Sequence, residues 1–197
     1  MKICIFSPYS ANGAISGTFV RLEMLAKALN NLGFEVHIIG PFPGIDGAIS
    51  HFYTLDLPIY KRIYSSVRAR HLINSISPDI LILEAPLLSI KLNTKVTVQM
   101  IHDSKFATSY RRSGGWILWL YYLFFSRVRN ATVTVSDAER SNISKYLMLN
   151  PKKIIVSKNG ISNGWLEQKG HNSLKKYDVL YVSNFAPHKG HLRLLKC

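Results

Sequence analysis

Apolar residues in this chain fall in short runs, and between the runs they recur at helical spacing. That alternation predicts strands and helices in turn. Lys2–Phe6 is apolar after its lysine and ends in Ser7-Pro8, which reads as a buried strand. A loop of small residues fills 7–17, and Leu22, Leu25, Ala26 and Leu29 then share one face of a helix over Thr18–Asn31. Gly33 stands just past its end, at the C′ position, and Glu35–Ile39 is a second strand stopped by Gly40-Pro41. Strand, helix and strand in this order predict parallel pairing with a right-handed crossover.

The same rhythm continues more loosely. His51–Leu55 reads as a strand, and Pro58–Ser75 as a basic helix with Tyr60, Ile63, Val67 and His71 near one face. Strands are expected at Ile80–Leu83, Val96–Ile101, Thr132–Val135 and Lys153–Ser157, and helices at 116–129 and 137–147. Ser136 and Glu139 have the spacing of a capping box for the last helix. Residues 167–176 are polar and aperiodic, like a linker, and Val179–Val182 then opens a new strand with a helix beginning at His191. The fold class expected is α/β: a Rossmann-like parallel sheet flanked by helices over 1–166, a linker at 167–176, and the start of a second, truncated domain at 177–197. One strand and one helical turn cannot bury a core. Either this segment docks on the first domain or the protein is cut short, and the second reading expects a further domain of roughly 100–200 residues to be encoded downstream.

Composition narrows the class. With 47% hydrophobic and 18% charged residues the chain is globular. Its two cysteines, Cys4 and Cys197, lie at opposite ends, so neither a disulfide framework nor a zinc-ligand spacing is expected. The apolar stretch after Lys2 is too short for the core of a secretory signal. The net charge of +14 is uneven: residues 1–103 carry 9 basic and 7 acidic residues (+2), residues 104–197 carry 16 and 4 (+12). Such a basic half calls for an anionic partner: a membrane surface, phosphates or nucleic acid. No nucleic-acid-binding signature accompanies its basic pairs, so nucleic acid is not expected. Trp116–Phe125 is an unbroken apolar and aromatic run of ten residues flanked by arginines. It is too short to span a bilayer, which needs about 18 residues or more. Two readings stay open: a core helix, or a segment lying in a membrane interface. The second makes Arg111, Arg112, Trp116, Trp119 and Arg127 the membrane-surface candidates.

Candidate chemistry sits where strands end. Residues 13–17 join the first strand to the first helix, and Gly13, Ser16 and Gly17 let backbone N–H groups approach a phosphate or sugar. The spacing is not G-x-G-x-x-G, and the second strand ends in Gly40 rather than an acid, so NAD is disfavoured. His102 and Asp103 close a predicted parallel strand, where the ligand crevice of an open α/β sheet lies. An imidazole there can hydrogen-bond a ligand or move a proton, which makes His102 the catalytic candidate. His188 and His191 have no third ligand near them in sequence, and no metal site is expected.

These residues together resemble glycosyltransferase family 4. Ser16–Arg21 leading into Leu25–Leu29 and Gly33–Val36 is similar to that family's loop and "LAxALxxxGHEV" run. His102-Asp103, Thr132–Ser136 and Asn159-Gly160-Ile161 follow in the family's order, and Tyr181–Gly190 is similar to the "VGRLxxxKG" opening of its second domain. The resemblance implies the type B fold of two Rossmann-like domains (GT-B). It implies a retaining transferase moving a sugar from a nucleotide-sugar donor to a lipid-linked or polysaccharide acceptor, without a required metal or other cofactor. It further implies a cytoplasmic protein, peripheral on the inner face of the membrane and serving cell-surface glycan synthesis. Gly17 and His102 match the family's loop glycine and cleft histidine, and Lys189 the lysine that holds the donor diphosphate. Ser16 replaces the family's first loop glycine, and Asn184 replaces its usual arginine. The family's Glu-x7-Glu motif has no counterpart within these 197 residues, so transfer by them alone is not expected. The alternatives from other classes are a non-catalytic glycan- or polyanion-binding domain, and another nucleotide-sugar enzyme such as an epimerase.

Overall fold

The computed structural model describes residues 1–8, 17–42, 44–53, 59–85, 87, 91–104 and 115–160, leaving aside the side chains at 59–65, 115 and 118. Contacts divide the chain into Met1–Gly160 and Ile161–Cys197, and everything described belongs to the first unit. Gly13, Ser16, Arg111, Arg112, Asn184 and Lys189 lie outside the described residues.

Among the described residues the strands are β1 (Lys2–Phe6), β2 (Glu35–Gly40), β3 (Ile49–Phe52), β4 (Ile80–Leu83), β5 (Val96–Ile101), β6 (Ala131–Thr134) and β7 (Ile154–Val156). The helices are α1 (Gly17–Asn31), α2 (Ile59–Ile76), α3 (Gly115–Val128) and α4 (Asp137–Leu147), with a 3-10 turn at Pro151–Lys153. All seven strands form one parallel sheet in the order β3-β2-β1-β4-β5-β6-β7, a Rossmann-like architecture.

Alternation along β1 shows how both faces are covered. Cys4 and Phe6 point into a cluster with Ala69, Ile73 and Ile76 of α2 and Leu81 and Leu83 of β4. Ile5 points the other way, against Leu22 and Ala26 of α1 and Val36 and Ile38 of β2. Burial pushes the Cys4 thiol up to about 12, so it stays protonated and packs as a small apolar group. A third cluster joins Tyr121, Tyr122 and Phe125 of α3 to Ile143 and Leu147 of α4, Ile101 of β5 and Ile154 of β7.

The buried face of α2 differs from the expected one. It runs through Ser66, Ala69, Ile73 and Ile76, while Val67 and His71 are exposed. Ser66, Ala69, Ile73 and Ile76 recur at helical spacing, which leaves Val67 and His71 on the solvent side; Tyr60 and Ile63 fall among the side chains left aside. Ser136 caps α4 as expected, its Oγ accepting from the Glu139 N–H at 3.2 Å. The far end of α4 turns at Met148 with φ 50°, a left-handed position taken here by a non-glycine residue. The Leu149 N–H then bonds back to the Ser144 carbonyl at 3.1 Å.

Two polar groups of contacts sit within this frame. At the centre of the sheet Gln99 is fully buried, its Nε2 donating to the Leu83 carbonyl at 3.0 Å. The Tyr121 hydroxyl beside it accepts from the Leu87 N–H at 2.8 Å, which ties α3 to the segment after β4. Near the β3 edge, Lys2, Glu35, His37 and His51 form a row. Lys2 Nζ lies 3.5 Å from Glu35 Oε1, His37 Nε2 lies 2.8 Å from the same oxygen, and His37 Nδ1 lies 3.0 Å from His51 Nε2. The hydrogen bond with His37 is the main cause that holds the Glu35 carboxyl below its ordinary value. Burial and the neighbouring His37 push His51 down.

Gly40 ends β2 where the chain passes closest to β1. A Cβ there would lie 2.5 Å from the Ser7 carbonyl oxygen and 2.7 Å from the Phe42 ring. We expect Gly40→Ala to force these apart and destabilise the protein by about 1–3 kcal/mol, the usual cost of overpacking. Urea denaturation reads this directly; a midpoint equal to that of the wild type would contradict the close approach.

Candidate functional site

Strand order reverses at β1, which has β2 on one side and β4 on the other. Crossover helices leave opposite faces at such a point, and a crevice opens beyond the carboxyl ends of the strands. Here that crevice is a cavity of about 780 Å³ lined by Ser7, Gly17, Arg21, Glu84, His102 and Lys158, among others. Each comes from a strand end or from the first turns of α1. The volume suits a sugar or nucleotide ligand, within the usual range of roughly 300–1,000 Å³.

Glu84 is the electrostatic centre of this site. Its side chain is only 3% exposed, and its N–H donates to the Phe6 carbonyl at 3.0 Å. Arg21 reaches from α1 to form an ion pair with Glu84 Oε1 through Nη2, while its Nη1 lies 3.8 Å from Met100 Sδ. His102 Nε2 stands 3.8 Å from the same Glu84 oxygen. Burial alone would push the Glu84 carboxyl up; contact with His102, the Arg21 guanidinium and the Ser7 hydroxyl together outweigh it and hold the carboxyl below its ordinary value. Glu84 is therefore ionised at neutral pH and engages Arg21. His102, with a side chain 37% exposed, faces the cavity beside that carboxylate.

Gly17 lines the cavity at the start of α1, and a Cβ there would meet no atom of the described residues within 4 Å. Packing among the described residues does not require glycine at this position, and its bare backbone adds room to the cavity. Gly17 and His102 thus line the same cavity. Asp103 is exposed and does not line the cavity. Of the membrane-surface candidates described, Trp116 is exposed on α3. Trp119 corrects the expectation: it is half-buried against the α3–α4 cluster, and its Nε1–H donates to the Tyr146 carbonyl at 3.1 Å. Three positions along a helix leave two side chains about 60° apart, and that offset puts Trp119 against α4 while Trp116 stays outside. Arg127 is exposed but holds helix ends, donating to the Leu123 and Leu147 carbonyls. Among the described residues no group of three His, Cys, Asp or Glu side chains is arranged to hold a metal ion.

Arg21 and Glu84 were not singled out by sequence reasoning. The available signal for Glu84 was a carboxylate closing the apolar run Ile80–Leu83, next to a strand that is buried on both faces. Removing the cation should leave that carboxylate buried and uncompensated. Arg21→Met is expected to cost about 3–5 kcal/mol, and adding Glu84→Gln should restore most of the loss. Because the folded value of Glu84 is depressed, its contribution to stability is full above the unfolded value of about 4.3 and is lost as pH falls through the folded value. Glu84→Gln should remove that part of the acid limb while Glu35 and Asp79, whose carboxyls are also held low, keep theirs. Urea unfolding between about pH 3 and 6 tests this; superimposable acid limbs for wild type and Glu84→Gln would refute it.

Comparison with known proteins places this geometry. The sequence pattern of Glycosyltransferase Family 4 matches residues 15–163, a stretch that contains every cavity residue named above except Ser7. A search of curated protein sequences finds no significant match. Among solved structures, a glycosyltransferase from Rickettsia africae ESF-5 superposes with a TM-score of 0.59 at 13% identity, covering 84% of this chain and 45% of that one. The lipopolysaccharide outer core galactosyltransferase WaaB gives 0.56 at 12% identity, covering 82% and 46%. A protein assigned as a UDP-N-acetylglucosamine 2-epimerase, from Listeria monocytogenes, gives 0.53 at 9% identity, covering 78% and 44%. The chain thus spans less than half the length of each, and at these identities the likeness is one of fold: the parallel sheet and helices of one half of a GT-B molecule. The sequence pattern goes further than fold, and with 15–163 matched from the start of the first helix past the end of the last strand, this chain belongs to Glycosyltransferase Family 4.

Proposed function

We propose that this chain forms the acceptor side of a retaining glycosyltransferase, which moves a sugar from a nucleotide-sugar donor to a lipid-linked or polysaccharide acceptor. The work belongs to cell-surface glycan synthesis, at the cytoplasmic face of the membrane and without a required metal. The observation that carries this reading is the cavity at the strand-order reversal, where His102 stands beside the Arg21–Glu84 pair and Gly17 leaves the α1 end open.

The parts have separate tasks in this reading. Gly17 admits the acceptor close to the backbone at the start of α1. His102 hydrogen-bonds an acceptor hydroxyl, and the neighbouring carboxylate favours an orientation in which the ring can hold a proton. Orientation of this kind contributes about 7–11 kcal/mol where two reactants are held in line. Asn184 and Lys189 belong to the donor side by family resemblance, with Lys189 on the diphosphate. A second reading, an epimerase acting on a nucleotide sugar alone, has the Listeria structure in its favour, at the level of fold.

Titration calorimetry of the chain against a panel of acceptor glycans, glycolipids and nucleotide sugars tests the proposal. An acceptor-type ligand is expected to bind. Gly17→Val puts a branched side chain into the cavity and should weaken that binding by about tenfold or more, equivalent to roughly 1.4 kcal/mol. His102→Ala should weaken it less. Binding indifferent to both substitutions would sink the acceptor-side reading, and epimer formation from a nucleotide sugar without acceptor would establish the second.

A further inference from the structure

The cavity at the strand-order reversal holds a charge that its ion pair does not balance. Arg21, Glu84 and Lys158 are the described lining residues with a fixed charge. Arg21 is engaged by Glu84, and the two cancel. Lys158 remains: it is exposed, and its side chain makes no ion pair or hydrogen bond among the described residues. Its place is set by the sheet. After β7 ends at Val156, the Ser157 N–H donates to the Thr134 carbonyl at 2.7 Å, which carries the pairing with β6 one residue further. Lys158 follows directly, at the carboxyl end of the sheet, and Asn159 beside it adds an amide to the same stretch of lining. The α1 side of the cavity differs. Val20, Met24 and Leu25 line it together with Met100 of β5, and none of these side chains can neutralise a charge.

We propose that Lys158 is a specificity-determining residue, which selects acceptors whose sugar carries an anionic group, a carboxylate or a phosphate. The inference rests on the acceptor-side reading above and narrows its substrate class. An ammonium is a compact point charge on a flexible stem, so it serves either oxyanion. With Arg21 held by Glu84, the lysine is the described lining side chain left to meet such a group. In the sheet β7 lies two places beyond β5, about 10 Å at the usual strand spacing. The anion and the hydroxyl at His102 therefore belong to different positions on one acceptor. A nucleotide donor is the other source of phosphate. Lys158 belongs to the unit Met1–Gly160, proposed above as the acceptor side, whereas the donor diphosphate falls by resemblance to Lys189.

Saturation-transfer NMR titrations of the 197-residue chain test the inference. The probes are neutral hexoses, the matching uronic acids and hexose phosphates, with UDP for the donor. Anionic sugars should bind about fivefold more tightly than neutral ones, and high salt should shrink the difference. Lys158→Met should bring the anionic sugars down to the level of the neutral ones, with the urea midpoint of the wild type. Lys158→Arg should keep the preference. Lys152→Met, at an exposed lysine that does not line the cavity, should change nothing. Gly17→Val should weaken neutral and anionic sugars together. Neutral sugars that bind and respond to Gly17→Val, with anionic ones no tighter, would overturn the inference and leave the acceptor-side reading standing. Binding of no sugar at all would overturn both. A preference that survives Lys158→Met would overturn the inference. So would UDP binding that depends on Lys158 while anionic sugars gain nothing, which would assign the lysine to the donor.

Discussion

A sheet of seven parallel strands must be covered on both faces, because strands joined by crossover helices leave no face for water. That constraint orders the rest of this molecule. It requires β1, inside the sheet, to be apolar on both sides, and Cys4, Phe6 and Ile5 meet the demand in alternation. It sends α1 and α2 to opposite faces. Where they part, at the carboxyl ends of β1 and β4, the cover has a gap, and the cavity occupies it. The Arg21–Glu84 pair lies at the bottom of that gap. A carboxylate so far from water is tolerable because a guanidinium, a serine hydroxyl and an imidazole surround it.

The strands were legible because burial on both faces demands uninterrupted apolar runs, and such runs stand out in sequence. Ile80–Leu83 and Val96–Ile101 were read with the bounds they have in the structure. Helix faces were less legible. In α2 the periodicity of Tyr60, Ile63, Val67 and His71 pointed to one stripe, yet the helix presents Ala69, Ile73 and Ile76 to the sheet. Apolar residues stand on both sides of this helix, Val67 as well as Ile73 and Ile76, and only the position of the sheet decides which side is buried. The left-handed Met148 carried no signal at all, since sequence rules look for glycine there.

The site was legible to the same depth. Gly17 and His102 stand at junctions between strand and helix, and junctions can be located from the pattern alone. Arg21 and Glu84 are 63 positions apart, and their meeting depends on which strands neighbour one another. Order within a sheet is not written in the spacing of either residue. Trp116 and Trp119 illustrate a finer limit. They are the same residue type three positions apart, and only the placement of α4 beside α3 makes one a surface group and the other a hydrogen-bonded part of the core.

The paired rings of His37 and His51 have a consequence of their own. Glu35 is an acceptor only, so His37 must carry a hydrogen on Nε2. When His37 is neutral its Nδ1 is a lone pair, and the hydrogen between the rings belongs to His51 Nε2. With both rings neutral the hydrogens are therefore set in relay: Glu35 fixes the tautomer of His37, and His37 fixes that of His51, whose Nδ1 is left to accept. A carboxylate on β2 dictates, across two rings, which nitrogen the edge strand offers as an acceptor.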